Sequence, residues 1–139
     1  MNIAEAETTI EVQFYDLDPM NVVWHGNYFK FMEIARCELL KKIEYNYDDM
    51  KLDGIMYPIA KTEMKFIKSA TFGQKLTVKA ILEELEPGLN IKYIIKDSAT
   101  NEVLFKAKTM QICVDVKSGK SLYQAPEKFK RGIECLKNI

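Results

Sequence analysis

An acidic side chain and the only histidine of this chain lie seven residues apart in a turn-rich stretch. Asp18 begins the segment Asp-Pro-Met-Asn-Val-Val-Trp-His, and a long amphipathic run starts at His25. A helix that begins there would direct its unpaired backbone N–H groups toward whatever Asp18 faces. A carboxylate opposite a cluster of N–H donors suits attack on an acyl carbonyl, so the pattern predicts a hydrolase of a thioester or ester.

The run after His25 has the pattern of one long helix. Between Trp24 and Tyr45 there is no proline, and the one glycine, Gly26, stands at the start. Apolar residues recur at intervals of three and four, at Tyr28, Met32, Ala35, Leu39 and Ile43. This stripe predicts a helix that is buried along one face, with its amino-terminal end beside the Asp18 loop.

The rest of the chain has the alternating pattern of β-strands. A first strand is predicted at 8–15, and a polar connection is expected at 46–54. Four further strands are predicted at 59–67, 75–83, 91–95 and 102–116, with turns at 72–73, 87–88, 98–101 and 118–120, before a short helix at 126–136. Hairpin-like turns keep these strands adjacent, so we expect one α+β domain, residues 1–139, with an antiparallel sheet wrapped around a long central helix.

Composition argues against several classes of protein. The chain has 139 residues and an apolar fraction of 47%, and its 20 basic and 20 acidic residues give no net charge, so nucleic acid is not predicted as a partner. Cys37, Cys113 and Cys135 lack metal-ligand spacing and are expected to be reduced thiols, with no metal site. Residues 1–8 show no export signal and no apolar run could span a bilayer, so a cytoplasmic location is expected.

The segment from Asp18 to Tyr28, continued by 31–36, resembles the 4-hydroxybenzoyl-CoA thioesterase-like enzymes, and most of all the acyl-CoA thioesterases of bacterial Tol–Pal gene clusters. The resemblance continues through 57–59, 72–73 and 114–126. It implies a hotdog fold and hydrolysis of an acyl-CoA thioester. It also implies a homodimer or homotetramer with active sites at the subunit interface. No cofactor is implied, because coenzyme A enters as part of the substrate.

The resemblance also assigns roles to individual residues. Asp18 corresponds to the essential aspartate of the family, and His25 to the histidine of this branch. The backbone N–H that polarises the thioester carbonyl is expected at or beside His25. Asp18 either attacks the carbonyl to form a mixed anhydride or activates water, and both possibilities remain open. Nearby Asp16 is expected to form a turn or to face solvent.

Five further residues are expected to bind the substrate, and four lysines are weaker candidates for the phosphates of coenzyme A. The five are Tyr15, Trp24, Tyr28, Pro58 and Ile59, and the lysines are Lys61, Lys65, Lys68 and Lys75. Asn27 is expected to cap the first turn of the helix.

The sequence departs from the family pattern at three positions. Asn21 replaces a glycine that often precedes the paired valines, and asparagine tolerates positive φ better than most residues. Phe14 replaces a tyrosine of the branch, and the adjacent Tyr15 is a substitute for its hydroxyl. Gln74 stands where the family commonly has an acidic residue after the Phe-Gly turn. This difference is expected to affect a local structural contact of that side chain more than the chemistry.

Two other functions remain open from the residues. The first is a hotdog protein that binds an acyl-CoA without cleaving it, and the second is a hotdog hydratase or dehydratase acting on carbon–carbon bonds. Release of free thiol would separate the hydrolase from the first, and hydration of an enoyl-CoA would reveal the second. The length and type of the acyl group are not predicted.

Overall fold

The structure, a computed structural model, describes residues 2–137. Its elements in chain order are β1 (Ala4–Glu11), α1 (Asn27–Ile43), α2 (Tyr47–Leu52), β2 (Ile55–Met56), β3 (Ile59–Phe66), β4 (Lys75–Glu84), β5 (Leu89–Asp97), β6 (Val103–Gln111), β7 (Cys113–Asp115), β8 (Ser121–Leu122) and α3 (Glu127–Lys137). A short 3₁₀ turn, Phe14–Asp16, lies between β1 and α1.

The main sheet has five antiparallel strands in the order β1-β4-β5-β6-β3. The short strands β2, β7 and β8 form a second antiparallel sheet beside it. Helix α1 lies across one face of the main sheet and packs on β1 and β4. The predicted α+β arrangement, an antiparallel sheet around one long helix, is therefore confirmed.

Helix α1 buries the face that the sequence predicted. All five residues of the apolar stripe from Tyr28 to Ile43 are buried, and Phe31 and Leu40 widen the buried face. The opposing sheet residues alternate, so that Leu76, Val78 and other inward side chains of β4 are buried while their neighbours are more accessible. Burial of each large aliphatic side chain stabilises the fold by roughly 1.5–3 kcal/mol, and this packing fixes the position of α1 on the sheet.

The carboxyl end of α1 is held by α3. Phe129 of α3 is fully buried and stacks on Tyr45, with 4.8 Å between the ring centroids. At Gly132 the two helices approach so closely that an added Cβ would lie 2.2 Å from the carbonyl oxygen of Ile43. A side chain at this position would therefore force the helices apart.

Three predicted element boundaries are wrong. The first strand occupies Ala4–Glu11 rather than 8–15, because the chain turns into the 3₁₀ segment at Phe14. The polar connection contains α2, whose N-cap residue Asn46 accepts hydrogen bonds from the N–H groups of Asp48 and Asp49. The predicted strand at 102–116 is divided at Ile112, since β7 leaves the main sheet to pair with β2 and β8.

Two of the departures from the family pattern are accommodated locally. Asn21 adopts a φ of 63°, so it takes the left-handed conformation in place of glycine. The side chain of Gln74 accepts the N–H of Thr71 at 3.0 Å and donates to Asp97 Oδ2 at 2.6 Å. Gln74 thus forms side-chain hydrogen bonds of its own beside the Phe-Gly turn. Within residues 2–137, no helix is long and apolar enough to cross a membrane.

Candidate active site

The loop that carries Asp18 is a tight turn closed by its own backbone. The N–H of Asp18 donates to the carbonyl of Val22 at 2.9 Å, and the N–H of Asn21 donates to the carbonyl of Asp18 at 3.0 Å. Oδ1 of Asp18 accepts the N–H of Met20 at 2.8 Å. One carboxylate oxygen is therefore used by the turn, and no protein group within residues 2–137 donates a hydrogen bond to the other.

Helix α1 begins next to this turn without a side-chain cap. Gly26 is the N-cap residue, and the expected cap by Asn27 is wrong, because its amide donates to the carbonyl of Asp16 at 2.8 Å instead. The N–H groups of His25 and Gly26 have no acceptor in the described part of the chain. The start of α1 therefore offers free donors and the positive end of the helix dipole.

Asp18 and His25 line the same cavity, which has a volume of about 370 Å³. Tyr28 also lines it, and so do Phe66 and Lys68 at the end of β3. The remaining lining residues are Met20, Val22, Val23, Ile67 and Ser69. A volume in this range fits a small-molecule group rather than a macromolecule. Sequence reasoning missed Phe66 and considered Lys68 only as a weak candidate for phosphate binding, because only the return of β3 brings these residues to the start of α1.

Aromatic rings enclose the side chain of His25 on two sides. Its ring centroid lies 5.4 Å from that of Trp24 and 6.4 Å from that of Phe66. The ring of Tyr28 stacks on the ring of Phe105, with 4.7 Å between the two centroids. Burial raises the pKa of the Tyr28 hydroxyl, although a backbone hydrogen bond at Ala70 opposes this shift, so Tyr28 stays a neutral phenol and does not supply a base.

Tyr15 and Trp24, predicted to bind substrate, lie outside the cavity that Asp18 lines. Tyr15 is 80% exposed on the 3₁₀ turn, and Lys30 Nζ lies 5.3 Å from the centre of its ring. Trp24 is half-exposed, and its ring covers Gly26 so closely that an added Cβ would lie 2.3 Å from it. Trp24 therefore covers the backbone at the start of α1, whereas Tyr15 projects from the 3₁₀ turn beside Lys30.

Pro58 and Ile59, the other predicted substrate contacts, are exposed and do not line the Asp18 cavity. Pro58 lines a separate, largely apolar cavity of about 510 Å³ with Tyr47, Met50, Lys51, Gly54, Ile55, Met56, Tyr57 and Val116. Ile59 is 42% exposed and begins the edge strand β3. The fold of this chain thus brings together Asp18, His25 and Tyr28 but separates them from Pro58 and Ile59.

Of the four lysines considered for phosphate binding, only Lys68 lines the Asp18 cavity, and its ammonium lies 3.1 Å from Glu102. Lys61 pairs with Glu63 at 3.4 Å. Lys65 and Lys75 are exposed on β3 and β4. Within residues 2–137, no group of three His, Cys, Asp or Glu side chains is placed to hold a metal ion.

Asp16 does not face solvent, so that part of the prediction is wrong. It is 2% exposed and its carboxylate is engaged by the ammonium of Lys30 and the N–H of Gln13. Because this carboxylate is enclosed by its own partners, it is not free to meet a substrate. Asp18 is the carboxylate of this loop that lines an open cavity.

Known proteins resemble this chain over most of its length. The model of the thioesterase-like superfamily matches residues 12–133. YneP of Bacillus subtilis, a predicted acyl-CoA thioesterase, is 28% identical over 122 residues, which cover 88% of this chain and 87% of YneP.

Solved structures share the fold over nearly the whole chain. Slr0204, a 1,4-dihydroxy-2-naphthoyl-CoA thioesterase from Synechocystis, superposes with a TM-score of 0.86 at 18% identity, over 96% of this chain and 98% of its own. The DHNA-CoA thioesterase of Staphylococcus aureus gives a TM-score of 0.82 at 26% identity, over 96% and 93% of the two chains. The predicted hotdog fold is confirmed, whereas the narrower Tol–Pal branch stays a prediction. This chain belongs to the thioesterase-like superfamily.

Proposed function

We propose that this protein hydrolyses the thioester bond of an acyl-CoA, with Asp18 and the amino-terminal end of α1 as its catalytic groups. The observation that carries the proposal is the cavity shared by Asp18 and His25, next to the free N–H groups at the start of α1. The predicted role of YneP and the activity of the DHNA-CoA thioesterase support an acyl-CoA substrate for this chain as well.

The free N–H groups of His25 and Gly26 suit stabilisation of an oxyanion. When the acyl carbonyl is attacked, negative charge develops on its oxygen, and preorganised donors stabilise that charge more than they stabilise the starting carbonyl. Removal of one such donor typically costs roughly 3–4 kcal/mol of transition-state stabilisation. The fixed position of α1 on the sheet keeps these donors in place without reorganisation during the reaction.

Asp18 supplies the carboxylate for the reaction. Since Oδ1 accepts the Met20 N–H, Oδ2 is the oxygen that is free to attack the carbonyl or to take a proton from water. Attack would form a mixed anhydride with release of the coenzyme A thiolate, and water would then hydrolyse the anhydride. General-base catalysis would reach the same products in one addition and one elimination step. Incorporation of ¹⁸O from labelled water into Asp18 under single-turnover conditions would indicate the anhydride route, with water attacking the carbonyl carbon of the Asp18 side chain.

His25 assists rather than attacks. Its imidazole has no hydrogen-bond partner within residues 2–137 and lies on the rim of the cavity, so it is free to bond to water or to the substrate. We expect His25→Ala to lower kcat about 10- to 100-fold, less than the loss of Asp18, and to alter the pH–rate profile. Tyr123→Ala, an exposed aromatic residue away from the site, is the control. An unchanged pH–rate profile would contradict an acid–base role for His25.

The edge strand β3 indicates how a second subunit would complete the site. Thr62, Met64 and Phe66 pair with buried residues of β6, so they lie on the face of the sheet that α1 covers. Because α1 packs mainly on the β1 and β4 part of that face, these three side chains stay at least partly accessible. An edge strand with free backbone groups and an incompletely covered face favours pairing with a second copy. We therefore propose a homodimer joined through β3.

Two-fold pairing of β3 would also account for Pro58 and Ile59. In an antiparallel pair centred on the middle of the strand, Ile59 lies opposite Phe66 of the partner subunit. Phe66 lines the Asp18 cavity, so the apolar segment around Pro58 would reach the partner's active site. In this arrangement the acyl group would extend from the cavity of one subunit into the apolar cavity of the other.

We expect Thr62→Asp to dissociate this dimer and to abolish most of the thioesterase activity. The substitution places two carboxylates near the two-fold axis, where like charges repel, while an exposed position keeps the monomer folded. Light scattering would give the mass, and thiol release would give the activity. Thr9→Asp, on the opposite edge strand β1, is the matched control and should remain dimeric and active. A wild-type protein that is monomeric and fully active would refute the β3 dimer.

A panel of short, long and aromatic acyl-CoAs, with release of free coenzyme A thiol as the readout, tests the proposed function. Hydrolysis of at least one of them, with equal amounts of acid and thiol, is the expected result. Binding of acyl-CoA without thiol release would instead indicate a binding protein. Hydration of an enoyl-CoA without thiol release would indicate a hydratase.

A further inference from the structure

A buried carboxylate beside the start of α1, paired with a half-exposed lysine, takes no part in the steps proposed above. The side chain of Asp16 is 3% exposed, and its Oδ1 lies 2.5 Å from Nζ of Lys30 on α1. Its Oδ2 accepts the backbone N–H of Gln13 at 2.9 Å. A carboxylate buried to this degree requires its partners, because an unpaired buried charge is strongly destabilising.

The backbone carbonyl of Asp16 is also hydrogen-bonded to the segment at the start of α1. Its carbonyl oxygen accepts the amide N–H of Asn27 at 2.8 Å and the backbone N–H of Trp24 at 3.0 Å. Together with the Lys30 contact, these bonds connect the 3₁₀ turn to the first turn of α1 and to the segment just before it. Leu17, the next residue, forms a β-bridge with Val23. The chain is thus anchored to α1 immediately before Asp18 and again between Asp18 and the helix.

We propose that Asp16, Lys30 and Asn27 are positioning residues that hold the Asp18 carboxylate against the free N–H groups of α1. This inference rests on the proposed catalytic role of Asp18. The turn that carries Asp18 is closed only by its own backbone, and the Asp18 side chain has only the Met20 N–H as a partner in residues 2–137. Its placement relative to the helix therefore depends on the anchored residues on either side.

Loss of this anchoring has an effect that differs from simple destabilisation. A displacement of about 1 Å between a catalytic group and the reacting atoms can lower the rate about 100-fold, while the rest of the substrate site is unchanged. The variants should therefore lose kcat and keep KM. A purely structural role would instead lower activity only in proportion to the fraction of unfolded protein.

The test compares Lys30→Met with Lys30→Arg, which keeps the charge and the donors. We expect Lys30→Met to lower kcat about 100-fold with KM changed by less than about threefold, and Lys30→Arg to restore most of kcat. Lys41→Met is the matched control, since Lys41 forms an exposed pair with Glu38 on the same helix at 3.4 Å. Asn27→Ala, which removes one neutral hydrogen bond, is the milder variant and should lower kcat about tenfold. It replaces Lys30→Met in the test if Lys30→Met does not fold.

Hydrogen–deuterium exchange supplies a readout that does not depend on hydrolysis. Backbone amides of residues 16–24 should exchange at least about tenfold faster in Lys30→Met and Asn27→Ala than in the wild type, with no change in Lys41→Met. Unchanged exchange in this segment would overturn the proposal, and so would faster exchange with a normal kcat. If the wild type released no thiol from any acyl-CoA, the proposed function would fail, whereas the exchange data would still decide whether these residues hold the loop.

Discussion

Replacement of Asp18 by asparagine is expected to abolish thioester hydrolysis while the fold is retained. An amide can neither attack the carbonyl nor accept a proton from water, so kcat should fall by at least about 10³-fold. Asparagine keeps the side-chain oxygen that accepts the N–H of Met20, so the turn can form as before. Thiol release from the best acyl-CoA substrate would give kcat, and circular dichroism would verify folding.

The control for this experiment is Asp48→Asn, an exposed aspartate in the first turn of α2 that lies outside the Asp18 cavity. It makes the same chemical change and should leave kcat within about twofold of the wild type. A second comparison is Asp16→Asn, which disturbs the Lys30 pair but leaves the Asp18 carboxylate in place. Full turnover by Asp18→Asn would remove the basis of the proposed mechanism.

Replacement of Gly132 by alanine is expected to destabilise the protein by about 2 kcal/mol. Helix propensity alone predicts the opposite sign, since alanine is favoured over glycine inside a helix by about 1 kcal/mol. The new Cβ would lie 2.2 Å from the carbonyl oxygen of Ile43, and this backbone atom cannot move without separating α3 from α1. Overpacking of this kind typically costs about 1–3 kcal/mol and sometimes more, so it outweighs the gain in propensity.

Thermal and urea denaturation of Gly132→Ala would measure this effect, with a decrease in Tm of about 6 °C expected for a chain of this size. Glu134→Ala, at an exposed position of the same helix, is the control and should change stability by less than about 0.5 kcal/mol. An unchanged or raised stability of Gly132→Ala would mean that α3 does not pack on the end of α1 as described. That result would leave the Asp18 site unaffected, because the two regions lie at opposite ends of α1.

Helix α1 and the alternating strands could be predicted because both depend on local periodicity. The stripe from Tyr28 to Ile43 marks one face of a helix wherever the helix lies, and β4 and β5 alternate for the same reason. The turn at Asp18 could also be predicted from the sequence, since it is made by residues close together in the chain. Its likeness to a known family then identified Asp18 and His25 as candidates for catalysis.

Contacts between residues that are far apart in the sequence could not be predicted from the same patterns. Nothing in the sequence distinguishes Asp16 from an ordinary turn residue, and its burial follows only from the ion pair that Lys30 forms fourteen residues later. Asn27 was predicted as a cap because asparagine favours that position, but the carbonyl of Asp16 competes for its amide. The division of the last long strand at Ile112 follows from pairing with β2, which is distant in sequence.

The local sequence pattern thus determines the helix, the strands and the turn, because each is specified by neighbours a few residues apart. It also determines the two residues on which the proposed chemistry depends. The meeting of that turn with Phe66 and Lys68 at the end of β3 depends on how the sheet closes over α1. The same is true of the ion pair between the buried Asp16 and Lys30. Such arrangements arise when distant segments compete for the same space and the same hydrogen-bond partners, so only the folded structure decides them.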